Sequence, residues 1–233
     1  MPEGASAAAL ILSGDPGLFA VVRLSLLVSL TATIVAGIAG FPLGAYLSLS
    51  RFSGRTAIII FLNSMMGLPP VVLGLTLYLL LSRSGPLGSL GLLFTPAAMI
   101  IAQALLVLPI IAALTRQVIE DLWDEYRDEL TAMRASRFDQ AMALLWDARF
   151  SLVTIFLSGF GRASAEVGAI MIVGGNIDGH TRAMTTAIAL ETSKGNLPLA
   201  IGLGIILLSV VLAANALAWM IRAYAAPPEK AAL

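Results

Sequence analysis

The stretch Arg116–Arg149, RQVIEDLWDEYRDELTAMRASRFDQAMALLWDAR, decides how this chain is read. It holds 13 of the 28 Asp, Glu, Lys and Arg residues. Eight are acids (Glu120, Asp121, Asp124, Glu125, Asp128, Glu129, Asp139, Asp147) and five are arginines (Arg116, Arg127, Arg134, Arg137, Arg149). Its apolar positions Val118, Leu122, Tyr126, Leu130 and Met133 recur every three or four residues. That is the period of an amphipathic helix with its charges on the opposite face. Ala135-Ser-Arg-Phe-Asp139 breaks the pattern, and Ser136 is placed to cap a second short helix running through Trp146. A charge run is commonly a solvated face. A solvated face, however, has no use for the set Leu130, Met133, Phe138, Met142 and Leu145, which is the kind of anchor row a helix lays into a partner's groove.

Outside this island the chain is apolar. Of 233 residues, 58% are hydrophobic and 12% charged, against roughly 25% charged in soluble domains, and the mean hydropathy is +0.92. A spanning helix needs about 20 mostly apolar residues. The stretches 18–49, 57–82, 94–115, 150–175 and 197–222 qualify. The expected fold class is therefore all-α: a polytopic membrane protein with about five transmembrane helices and a cytoplasmic helical loop at 116–149. The expected organisation is an extracytoplasmic N-terminal segment 1–17, a membrane domain 18–222 and a cytoplasmic tail 223–233. Residues 1–17 contain no Lys or Arg, so this segment reads as retained rather than as a cleavable signal.

Loop charges orient the spans. With the N-terminus outside, the inner side holds Arg51, Arg55, the five island arginines, Arg222 and Lys230, while the outer side holds Arg83, Arg182 and Lys194. Nine against three places the island and the C-terminus in the cytoplasm. Gly67-Leu-Pro-Pro70 is expected to kink the second span, while Pro42 in the first and Pro109 in the third read singly as tolerated prolines and, taken with the other breaks, as signs of helices that bend or line a path. Helices interrupted in this way commonly line a path.

Several chemistries are missing. No GxxxxGK[ST] loop is present, so the chain has no phosphate cradle of that kind. There is no HExxH motif, no GxSxG motif and no cysteine. The single histidine, His180, lies in a loop and reads as solvated. The expectation is a protein without catalytic residues or a metal site. Two ionisable residues do interrupt an apolar stretch: Arg162 and Glu166, four apart and able to pair on one helix face. They read either as an ion pair holding a bundle together or as a polar element of a translocation route.

The island also resembles a known family. Asp128-Glu-Leu-Thr-Ala-Met-Arg-Ala-Ser136 falls where permease subunits of ABC importers carry the cytoplasmic EAA loop, of pattern EAAxxxG followed by IxLP. Here Asp128 stands for the glutamate, Glu129 and Leu130 for the alanines, and Arg134 for the glycine. Leu144, Trp146 and Asp147 fall on the later IxLP. Leu68–Leu75, Ser82–Gly88 and Thr95–Gln103 resemble the molybdate/tungstate branch. Glu166–Ile177, Thr181–Ile188 and Glu191–Gly195 are similar to tungstate-type permeases in particular.

The resemblance implies a type I importer fold, a homodimer of permeases, two ATP-binding-cassette ATPase subunits and an extracytoplasmic oxyanion-binding protein. It implies no cofactor in this chain, with ATP and Mg held by the partner ATPase. Asp128, Glu129, Leu130, Met133, Arg134, Ala135, Ser136 and Phe138 would couple to that ATPase. Arg162, Glu166, Gly174, Gly175, Asn176, Thr185 and Thr186 would belong to the path or its gate. The substrate is expected to be tungstate, with molybdate or another tetrahedral oxyanion as the alternative. A secondary carrier needing no ATPase, and a membrane scaffold without flux, are the competing classes.

Overall fold

The computed structural model describes residues 16–225; the expectations for most of 1–17 and of the tail lie outside the described residues. The elements are α1 (Pro16–Leu49), α2 (Arg55–Met66), α3 (Pro70–Leu81), a 3-10 turn at Gly88–Leu90, α4 (Pro96–Ala132), α5 (Arg137–Asp147), α6 (Arg149–Ser164), α7 (Gly168–Gly174), α8 (Met184–Ser193) and α9 (Leu197–Ala225). Every regular element among the described residues is helical, as the composition demands of a chain that must satisfy its backbone in hydrocarbon. Helices α1, α4 and α9 are each long and apolar enough to cross a membrane. Two bent pairs, α2–α3 at 103° and α5–α6 at 73°, bring the number to five if each counts as one span.

The expected breaks divide into two groups. Pro69 precedes α3 in an extended conformation with Pro70 in its first turn, so the double proline ends α2 and restarts the chain in a new direction. The stretch 57–82 is thus two short helices rather than one kinked span. Pro42 and Pro109, by contrast, lie inside continuous helices. Pro109 is buried in the packing of α4, and that packing outweighs the roughly 3 kcal/mol that an interior proline costs. The stretch 150–175 is also divided: α6 stops at Ser164 and α7 begins at Gly168. Helix α4 does not stop at 115 but runs on to Ala132, so the first half of the island extends a membrane helix.

Small residues set how closely the helices approach. A β-carbon on Gly44 of α1 would stand 2.7 Å from the Ala112 carbonyl oxygen and 2.7 Å from Thr115 Cβ on α4, so the two backbones touch there. Gly74 of α3 meets Ala169 Cα of α7 in the same way, at 2.8 Å. The hydroxyls buried along α1 are satisfied locally. Thr33 Oγ1 donates to the Ser29 carbonyl at 2.7 Å, and Ser25 Oγ donates to the Val21 carbonyl at 2.8 Å while accepting the Met184 N–H at 2.6 Å. Buried apolar clusters join α3, α4 and α7 on one side and α1, α4 and α6 on the other. Helix α9 leaves Ile201, Ile205, Leu208 and Leu212 exposed, a face that costs nothing against lipid and much against water.

Candidate functional site

Two places concentrate unusual chemistry: the far end of the island and the break between α6 and α7.

The island folds as a helix–turn–helix, and its turn is a complete Schellman motif. The Ala135 N–H donates to the Leu130 carbonyl at 3.2 Å and the Arg134 N–H to the Thr131 carbonyl at 3.0 Å. This geometry places Arg134 in the left-handed region, at φ 53°, the conformation that glycine favours. Arginine thus keeps the turn of the glycine-bearing motif at a cost in strain. Ser136 then caps α5. Its Oγ accepts the Asp139 N–H at 3.2 Å and donates to Asp139 Oδ2 at 2.5 Å.

The apolar set expected to anchor a partner is split between two faces. Leu130 and Leu145 face inward, with Val118, Leu122 and Tyr126, and pack around buried Ile119, Leu144 and Ala148. Met133, Phe138 and Trp146 are 77%, 74% and 73% exposed, and Met142 is exposed beside them. Phe138, Met142 and Trp146 stand four residues apart and form one stripe on α5, while Gln140, Leu144 and Ala148 form the buried stripe on its other side. A groove of about 250 Å³ runs between α4 and α5, floored by Leu130 and Leu144, walled by Tyr126 and Met133, and edged by Glu129 and Asp147. Asp128 and Ala135 frame this end without entering the groove lining. Met142 and Trp146 share the exposed stripe with Phe138 and lie outside the expected coupling set. The four-residue spacing from Phe138 was the signal for them.

At the second place, the Arg162 guanidinium donates to Glu166 Oε2 at 2.8 Å. The pair forms as expected, but not along one helix: Arg162 lies in the last turn of α6, and Glu166 lies beyond its end, in the break before α7. Each charge therefore suits a helix end. The cation sits by the carbonyls that close α6, and the carboxylate accepts the Ala169 N–H at 3.1 Å at the start of α7. Glu166 is 3% exposed and Arg162 36%, so the anion is sealed in and the cation reaches the surface. Thr185 Oγ1 donates to the Glu166 carbonyl at 2.7 Å, tying α8 to the same break. Gln103 on α4 reaches it too, its Nε2 donating to the Ala163 carbonyl at 2.9 Å while its buried Oε1 has no partner. A lone glutamine in the apolar run of α4 was the available signal for that residue.

The remaining expected path residues lie close by in chain and space. Gly175 and Asn176 both have positive φ, 71° and 51°, and turn the chain after α7. The Gly174 carbonyl accepts from Thr181 Oγ1 at 2.5 Å, and Asn176 Nδ2 reaches the Thr186 carbonyl at 3.4 Å. The Thr186 hydroxyl donates to the Ala183 carbonyl at 3.1 Å and caps α8 by accepting the Ala183 N–H at 3.0 Å. Both threonine hydroxyl protons are thus committed to carbonyls. His180 is exposed, and Arg182 pairs with Asp178 at 2.9 Å.

No family model matches the chain. Among curated proteins it is 40% identical to the tungstate uptake system permease protein of Peptoclostridium acidaminophilum, over 91% of this chain and 93% of that protein. It is 40% identical to a probable anion ABC transporter permease protein of Haloferax volcanii, over 86% of this chain and 88% of the other. A second tungstate uptake system permease protein, from Campylobacter jejuni, is 35% identical over 88% and 86% of the two chains. Identity at this level over nearly nine-tenths of the chain or more leaves one conclusion: the chain belongs to the family of anion ABC transporter permease proteins that includes the tungstate uptake permeases.

Proposed function

We propose that this chain is the membrane-spanning subunit of a tungstate importer, powered by a separate ATPase that docks on the α4–α5 end. The observation that carries the reading is the stripe Met133, Phe138, Met142 and Trp146. It is apolar and exposed on a strongly charged segment that cannot lie in hydrocarbon. A partner that buries those four side chains gains more than water can offer. The sequence carries no GxxxxGK[ST] loop, which agrees with ATP and Mg being held by that partner.

The assembly we propose has two copies of this chain, two ATPase subunits and an oxyanion-binding protein outside. The island and C-terminus face the cytoplasm, as the arginine distribution favours. Counted from the start of α6 at Arg149, Arg162 lies roughly 20 Å along the helix, within a hydrocarbon core about 30 Å thick. Its exposed guanidinium is the group that meets a passing tetrahedral dianion. Glu166 keeps that contact weak by competing for the same donors, and a conducting site must release what it binds. Gly174, Gly175, Asn176, Thr185 and Thr186 contribute by shaping and bracing the wall behind Arg162, since both threonine hydroxyls and the Asn176 amide donate to backbone carbonyls. Tungstate and molybdate share charge and shape, so the choice of tungstate rests on the named relatives, and molybdate is the second reading.

The test is uptake into proteoliposomes holding the permease with its ATPase and binding protein, offered tungstate, molybdate and sulfate in turn. ATP-dependent tungstate accumulation is expected. Uptake by the permease alone on an ion gradient would establish a secondary carrier instead, and partner binding without any flux would establish a scaffold.

A further inference from the structure

The second cluster of charge on the island side lies not on the docking stripe but where α1 ends. Glu120 of α4 accepts from two arginines: Arg55 Nη2 at 2.6 Å on Oε1, and Arg116 Nη1 on Oε2. Of the eight island acids, all within the described residues, Glu120 alone makes an ion pair. Arg55 is the first residue of α2, and its Nε also donates to the Leu47 carbonyl in the last turn of α1, at 2.6 Å. Arg137 is the first residue of α5, and its Nη1 donates to the Leu49 carbonyl, the last of α1, at 2.8 Å. Ser48 Oγ lies 2.9 Å from the Arg116 carbonyl.

Helix α1 has no basic residue of its own in its last turn. Its closing carbonyls lack helical partners and carry the negative end of the helix dipole. The cations that answer them come from α2 and α5, two elements with no other shared contact of this kind. These pairs are partly buried, with side chains 15–32% exposed, so solvent screening still limits what they add to stability. What the convergence does is mechanical. The link from α1 to α2 is Ser50–Gly54, a short turn with Gly54 at φ 97°, which would otherwise flex and absorb a push. With Arg55 and Arg137 clipped to the same helix end, a shift of α5 moves α1, α4 and α2 together. Helix α2 leads through its 103° bend into α3, and α3 packs on α7 beside the Arg162–Glu166 break.

We propose that Glu120, with Arg55, Arg116 and Arg137, is a positioning latch that delivers movement of the docking helix to the bent α2–α3 pair. Glu120, Arg55 and Arg116 lie outside the ATPase stripe and the anion contact, and Arg137, the chain neighbour of Phe138, has its guanidinium bound to the Leu49 carbonyl. They act through both, and the inference rests on the ATPase-driven reading above. The discriminating quantity is ATP hydrolysed per tungstate imported, measured in proteoliposomes of the complete complex. Glu120→Gln keeps the shape and removes the charge. It is expected to assemble and hydrolyse ATP at the wild-type rate while the ratio rises on the order of fivefold, with Glu120→Asp in between. A Glu120→Gln complex with the wild-type ratio overturns the latch. If Glu120→Gln does not assemble, Arg137→Gln, which removes only the Leu49 contact, decides by the same ratio: raised, the latch stands; unchanged, it falls. Wild-type complex without ATP-driven uptake would instead overturn the importer reading, a separate failure.

Discussion

Replacing Phe138 by alanine separates docking from folding, because its side chain is 74% exposed in the isolated subunit. A phenylalanine offers about 170 Å² of apolar surface when fully exposed, so about 125 Å² is open to burial by a partner. At about 25 cal/mol per Å² this amounts to about 3 kcal/mol, and an alanine retains about one third of it. The net loss of about 2 kcal/mol corresponds to about thirtyfold in Kd. The assay is titration of the purified permease in nanodiscs with its ATPase subunit, alongside thermal unfolding of the permease alone. Phe138→Ala should weaken binding by that factor and leave the unfolding temperature unchanged. Leu144→Ala should do the reverse of a docking mutation. Leu144 is buried on the opposite side of α5, so its truncation should cost about 2–5 kcal/mol of stability. If Phe138→Ala binds within about threefold of wild type, the stripe is not where the ATPase sits.

Three further substitutions test local physics. Arg134→Gly relieves a left-handed residue at the Schellman turn and should stabilise by about 1 kcal/mol; a lower unfolding temperature would contradict the strain argument. Arg162→Met strands a 3%-exposed carboxylate, whereas Glu166→Gln leaves a cation that already reaches the surface. The arginine change should therefore cost more, up to about 3–5 kcal/mol, and the opposite order in thermal unfolding would refute the burial argument. Glu191, on α8, is held below its ordinary value by its hydrogen bond to Lys194, aided by Asn196 and the Lys194 and Arg182 charges and opposed by its burial. A folded-state carboxylate with lowered pKa stabilises fully above the ordinary carboxylate range and loses that contribution as pH falls through the folded value. Glu191→Gln should accordingly flatten the acid side of the stability profile and remove a stabilisation present at neutral pH; an unchanged acid limb would dismiss the pairing.

Residues with short-range effects were readable before any fold was known. The Ser136 cap and the change of direction at Pro69-Pro70 each depend on groups within one turn of the chain, although the second was expected as a kink within one span. So does the break at Ala135–Asp139. Even the glycine position taken by Arg134 is a local matter, since the Schellman hydrogen bonds span six residues. The pairing of Arg162 with Glu166 was legible from spacing, but its placement across two helix ends was not, because Ala165–Val167 holds no proline or glycine to mark the break.

What escaped the sequence depends on distant neighbours. Pro109 lies buried inside a continuous α4, and the neighbours that bury it are not written in the residues around it. Leu130 and Phe138 looked alike as anchors, yet one is covered by α5 and its neighbours while the other faces out. Glu120 looked like one acid among eight until Arg55, 65 positions earlier, proved to be its partner. Composition, periodicity and capping chemistry alone made this an α-helical membrane protein with a charged, helical protrusion. Which apolar face is free to bind, and which charges meet, came only from the folded chain. Burial and ion pairing are properties of the helices brought alongside, and no local pattern records them.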